Sequence, residues 1–188
     1  MELSLLLTSA DDGPLLFEVA RQADRRGLAA LWLPEPSAVI AAALAVVTQR
    51  IGLRSSGLAL PLHNPVRVAE EWSLVDNLSG GRAGVAFSPG EDPGLETVRR
   101  LWRGEALQTP DGEGRPIQVR ILPQPVQPEL PEWVATGSTF TRAGQVTRIV
   151  DSIEAALREG DGAANVAHIA CRVSLSDALA AIEVLHGG

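Results

Sequence analysis

Few side chains in this 188-residue sequence could do chemistry, and their spacing narrows what that chemistry would be. There are three histidines: His63, in a Leu62-His63-Asn64-Pro65 turn, His168 and His186. His63 could exchange a proton near neutral pH; a solvated turn histidine is the plainer reading. His168 and Arg172 are four residues apart on an apolar strand, so they share a face. On a buried face they would have to be paired or functional, with Glu35 or Asp11 as candidate acidic partners for Arg172. Gly137-Ser138-Thr139 offers free amides and a hydroxyl at the expected start of a long helix, a reasonable place for an anion. Scattered histidines and a single cysteine, Cys171, make a metal site a poor expectation.

The elements that must position these groups alternate. Short apolar strands are expected at residues 3–7, 29–33, 51–60, 83–87, 133–135 and 165–173. Between them run helices opened by Pro14, Ser37, Pro65 and Pro93-Gly94, with Gly27 and Gly80 as stops. A helix from Ser138 or Thr139 to Glu159 and another after Ser174 or Ser176 complete the pattern. The proline-rich residues 105–127 read as a β-hairpin or extended excursion. Strands apolar on both faces and alternating with helices mean a parallel sheet covered by helices.

Composition sets further limits. Hydrophobic residues make up 45% and charged residues 21%, with a formal net charge of −7. That is ordinary for a single soluble domain over residues 1–188. No basic block recommends nucleic acid or an anionic membrane as a partner. With no basic leader at Met1-Glu2-Leu3-Ser4 and no long apolar run, a cytoplasmic protein is expected.

The stretch Leu60-Pro61-Leu62-His63-Asn64-Pro65-Val66-Arg67, continuing through Trp72, Asp76 and Gly80-Gly81-Arg82, resembles the segment after the third strand in bacterial-luciferase-like flavin monooxygenases. The nearest likeness is to the subgroup of peptide and polyketide natural-product pathways. The tail, Val166-Ala167-His168-Ile169-Ala170-Cys171 followed by Asp177-Ala178-Leu179, resembles that family's last strand and helix. The resemblance implies a TIM-barrel-like (β/α) fold. At this length about six β/α units are expected, with two strands lost between Ala135 and Asn165 and the hairpin excursion near 105–127.

The same resemblance implies a reduced-FMN site at the C-terminal ends of the strands, where barrels of this type place their chemistry. The flavin ring would lie against Ser56 and Gly57, where the family often has a strained cis peptide. Its phosphate would lie near Ser88 and Gly137, Ser138 and Thr139. Glu35 remains from the family's Glu-Arg-His or Glu-His-His sequence, but the His and the covering loop do not. The Arg expected after the fourth strand is replaced by Ser88-Pro89-Gly90-Glu91-Asp92, whose carboxylates repel a phosphate. FMN binding is therefore expected to be weak or lost, with Arg172 as a substitute cation. Any small-molecule pocket should be bounded by Glu35, Ser56, His63, Ser88 and Ser138, and Glu35, His63, His168 and Arg172 are the candidate catalytic groups. Two readings stay open: a flavin-dependent monooxygenase acting on a secondary-metabolite intermediate, and a remodelled homologue without flavin chemistry, either a non-redox enzyme or a binding or stabilising protein. A homodimer is expected, because residues 38–47 form a helix apolar nearly all round.

Overall fold

Eight strands close into a barrel in the computed structural model, which describes residues 2–35, 37–90, 92–152, 155 and 168–187, the side chains of 185–187 excepted. Strands β1 (Glu2–Leu7), β2 (Ala30–Leu33), β3 (Gly52–Ser55), β4 (Ala83–Phe87) and β7 (Glu132–Ala135) run parallel in that order. Strand β8 (Thr139–Arg142) is reversed against both β7 and β9 (Gln145–Val150). Strand β9 then pairs in parallel with β10 (His168–Val173), and β10 closes on β1 with Glu2 opposite His168 and Leu7 opposite Val173.

The first half follows the local signals. Helix α1 (Gly13–Arg25) starts where the Asp12 carboxylate accepts from the Leu15 amide at 3.0 Å and Pro14 fixes the first turn. Its buried face is Leu16, Val19, Ala20 and Ala23. The helix opened by Ser37 is expected to run to about Arg50 and ends five residues earlier, as α2 (Ser37–Ala45). Strand β3 is also shorter and gives way to a 3-10 turn at Leu60–Leu62. Helix α3 (Pro65–Ser79) is capped by the Asn64 side chain, which accepts from the Val66 and Arg67 amides, and ends at Gly80 in the left-handed conformation (φ 67°). Helix α4 (Pro93–Trp102) has Asp92 as its cap. The excursion is the expected hairpin, β5 (Leu107–Pro110) with β6 (Pro116–Val119). Helix α5 (Ala178–Gly187) follows β10.

Conserving eight strands in so short a chain requires a correction to the expected later half. The long helix from residue 138 does not form; residues 139–150 are the β8–β9 hairpin, so no two strand positions are missing. The part of that expected helix at 153–154 and 156–159 lies outside the described residues. The reversal is made at Ala143 and Gly144, both with positive φ (46° and 84°), the backbone of a tight two-residue hairpin turn. The flanking residues Thr139, Thr141, Val146, Thr147, Ile149 and Val150 are β-branched, which favours strands.

Two layers of side chains fill the structure. The larger one lies between the strands' outer faces and the helices and includes Leu31, Leu53, Val85, Val19, Trp72 and Leu101. The smaller one fills the barrel: Leu6, Trp32, Ala86, Trp133, Ala135, Phe140 and Ala170. Trp32 stacks on Phe140 with ring centres 3.7 Å apart and planes 5° from parallel, and meets Trp133 edge-on at 5.4 Å. Gly84 makes this possible. A methyl group there would lie 2.5 Å from the Trp133 ring.

Candidate functional site

Residues that follow parallel strands gather at the C-terminal end of the barrel. Glu35 follows β2, Ser56 and Gly57 follow β3, Ser88 follows β4, and Gly137 and Ser138 lie between β7 and β8. Thr139 joins them because β8 runs in the opposite sense. His63 stands farther out, exposed, just after the 3-10 turn.

Each of these groups has a local structural task. The Glu35 carboxylate accepts from the Ser37 hydroxyl at 2.7 Å and the Ser37 amide at 3.2 Å, holding the start of α2. Ser56 donates its amide to the Leu33 carbonyl. Gly57 has φ 148° and faces Ala135 with room for a methyl group at 3.8 Å. Its peptide with Ser56 is trans; among the described residues the only cis bond is Leu122–Pro123. The Ser88 hydroxyl reaches the Gly57 carbonyl at 3.4 Å, and its amide bonds the Leu58 carbonyl at 2.9 Å.

The Gly137-Ser138-Thr139 segment departs from its expected form. It opens a strand, not a helix, so no helix dipole points at the mouth. The Thr136 hydroxyl oxygen accepts from the Ser138 amide at 3.4 Å and the Thr139 amide at 2.9 Å. The Ile149 amide takes the Ser138 carbonyl, and the Thr136 amide takes that of Thr139. Two of the three amides expected to meet an anion are thus spent inside a tight turn.

His168 and Arg172 share the inward face of β10 with Ala170 but serve opposite ends, on the order of 13 Å apart by strand rise. Arg172 is at the mouth. It pairs with Asp151 at 2.6 Å and donates to the Gly137 carbonyl at 3.2 Å. Neither Glu35 nor Asp11 is its partner; Asp151 lies at the end of β9, in the segment expected to be helical. His168 is at the N-terminal end, its Nδ1 3.0 Å from a Glu2 carboxylate oxygen. The side chain of His186 lies outside the described residues, as does Glu91.

Clefts bordered by Ser88 run outward from the rim. One, of about 400 Å3, lies between α4 and the β7–β8 face, lined by Phe87, Leu95, Arg99, Val134 and Thr141. Another, of about 150 Å3, lies against Leu60, Pro61 and Leu95. Glu35, Ser56, His63 and Ser138 line neither.

Other residues of the 60–82 segment are structural. Asp76, fully buried, accepts from the Val126 and Gln127 amides and the Gln127 side chain. Arg82 fastens the end of α2, and Glu71 pairs with Arg67. Sequence reasoning passed over Arg54, a charged residue on the buried strand β3, although that setting is itself a signal. Among the described residues no cluster of three His, Cys, Asp or Glu side chains could hold a metal ion, and no helix is long and apolar enough to cross a membrane.

Residues 7–93 match the model of the family described as Luciferase-like monooxygenase. A luciferase-like monooxygenase of Escherichia coli (strain K12) is 27% identical over 146 residues, covering 66% of this chain and 44% of that protein. Limonene 1,2-monooxygenase of Rhodococcus erythropolis is 38% identical over 85 residues, covering 39% of this chain and 22% of that one. Among solved structures, monooxygenase RslO1 from Streptomyces bottropensis superposes with TM-score 0.59 at 24% identity, covering 86% of this chain and 58% of its own. The oxygenating constituent of 3,6-diketocamphane monooxygenase from Pseudomonas putida, in complex with FMN, gives TM-score 0.60 at 16% identity, with 90% and 64% covered. The matches span less than half the length of these curated relatives. The first half of the chain is thus similar in sequence to luciferase-like monooxygenases, and its barrel is similar in fold to solved monooxygenases.

Proposed function

We propose that this protein is a remodelled luciferase-like homologue that no longer depends on flavin and acts as a small-molecule-binding or non-redox protein of secondary metabolism. The observation that carries this reading is the spent phosphate site. The Ser138 and Thr139 amides already bond the Thr136 hydroxyl oxygen, and Arg172 is already neutralised by Asp151. The residues present do not fit a flavin phosphate.

Losing one charge-assisted contact costs roughly 1.5–3 kcal/mol, and each 1.4 kcal/mol is tenfold in affinity. A micromolar site would weaken by about ten- to a hundredfold on that basis. Calorimetric titration with oxidised and reduced FMN is therefore expected to give a dissociation constant above about 10 μM. Binding below about 1 μM would restore the second reading, a flavin-dependent monooxygenase acting on a secondary-metabolite intermediate. Two observations favour that alternative: the open face at Gly57, and an FMN-bound protein among the similar folds.

We also propose a homodimer formed through α2 and α3. Val39 and Val46, at 66% and 68% exposure, and Leu74 and Leu78 on the neighbouring helix leave apolar surface uncovered. Light scattering at micromolar concentration should give twice the chain mass of 19.8 kDa; a monomer mass would overturn this.

A further inference from the structure

The N-terminal end of the barrel contains donors without acceptors among the described residues. Arg54 points back along β3 across Gly52, where a methyl group would touch its Nε at 3.4 Å. Its guanidinium carbon lies 4.9 Å from the Trp32 ring centre and 4.5 Å from that of Trp133. Arg142, at the end of β8, lies 4.8 Å from the same Trp133 ring. Stacking on aromatic faces occupies the flat sides of a guanidinium and leaves its N–H edge free. No described residue accepts a hydrogen bond from either arginine. The buried Trp32 Nε1–H beside them has no acceptor among the described residues either.

Nearby acidity does not resolve this. The Glu2 carboxylate favours the Arg54 charge from a distance, but its oxygen is taken by His168. Burial is the main influence, pushing the Arg54 guanidinium down to about 10, with Arg142 adding like-charge repulsion. Both arginines are half-buried and the Trp32 indole N–H is fully buried; donors withdrawn from water are usually satisfied. Two guanidinium groups and an indole N–H gathered on one pair of aromatic rings supply what an oxyanion needs. Arg54 and Arg142 are each partly exposed, so the cluster reaches solvent.

We propose that Arg54 and Arg142 form an oxyanion-binding site at the N-terminal end of the barrel, for a ligand bearing a carboxylate or phosphate group. It lies across the aromatic plug from the mouth and does not depend on the reading of the mouth.

Calorimetry at low ionic strength, with inorganic phosphate, succinate and chloride as probes, tests this, with tryptophan emission as a parallel readout. Phosphate or succinate should bind at least tenfold more tightly than chloride. Preference for phosphate identifies a phosphoryl ligand, and preference for succinate a carboxylate. Arg142→Gln and Arg54→Met should each weaken that binding at least tenfold, while Arg172→Gln at the mouth leaves it unchanged. If Arg54→Met does not fold, Arg142→Gln alone decides. Equal responses to all three anions, undiminished binding by Arg142→Gln, or loss on Arg172→Gln would overturn the proposal.

Discussion

Replacing Arg82 with methionine is expected to destabilise the fold by about 3–5 kcal/mol. Its Nη1 donates to the Thr48 hydroxyl and the Ile51 carbonyl at 3.0 and 2.7 Å. Nη2 donates to the Ala45 and Thr48 carbonyls at 3.1 and 3.0 Å, and Nε to the Ser79 carbonyl at 2.7 Å. These include carbonyls that the end of α2 leaves without helical partners. Hydrogen bonds to a charged group contribute about 1.5–3 kcal/mol each; water entering the half-buried site recovers part of the sum. Arg82→Lys should regain only a fraction, because an ammonium cannot reproduce the planar fork. Urea unfolding would check this, and a loss below about 1 kcal/mol would show that the carbonyls find other donors.

Asp24 holds the same connection from the other polarity, and Asp24→Ala is expected to cost about 2–4 kcal/mol. Its carboxylate accepts from the Gln49, Arg50 and Ile51 amides at 3.1, 2.7 and 2.8 Å. Burial alone would raise its pKa, but the three amides and the Arg50 charge outweigh burial and lower it below the usual 3.8. A group with a depressed folded pKa stabilises fully above its unfolded pKa. That stability is lost as pH falls through the folded value. Wild-type unfolding midpoints should therefore drop between about pH 5 and pH 3 by more than those of Asp24→Asn. Parallel pH profiles for the two proteins would contradict the role assigned to this carboxylate.

The first half of the barrel was legible because its signals are local. Pro14, Pro65 and Pro93 open helices, Gly80 stops one, and the apolar spacing of Val68, Trp72 and Val75 matches the buried face of α3. The β8–β9 hairpin was not legible by the same means. Its turn, Ala143-Gly144, lacks the usual Asn-Gly signature, since alanine is an unfavourable residue at positive φ. Two other expectations rest on that helix: the dipole at Ser138, and Glu35 or Asp11 as the partner of Arg172, which pairs instead with Asp151. His168 and Arg172 were rightly placed on one face, but a shared face says nothing about which end of a barrel each side chain serves. Arg54 was hidden by its neighbours Leu53 and Ser55. Only the closed barrel brings it against Trp32 and Trp133.

The seam between β1 and β10 sets the order of events during synthesis. Glu2 and His168 are 166 positions apart, so the ribosome delivers one side of that ladder long before the other. Until then the free edge of β1 is a row of unpaired amides and carbonyls on a strand rich in leucine, able to recruit a strand from another nascent chain. Ring closure over so long a span is slow relative to hairpin formation. The β8–β9 hairpin can assemble as soon as it emerges. The final ladder waits for the last strand, and the interval between them is when this chain most needs a chaperone.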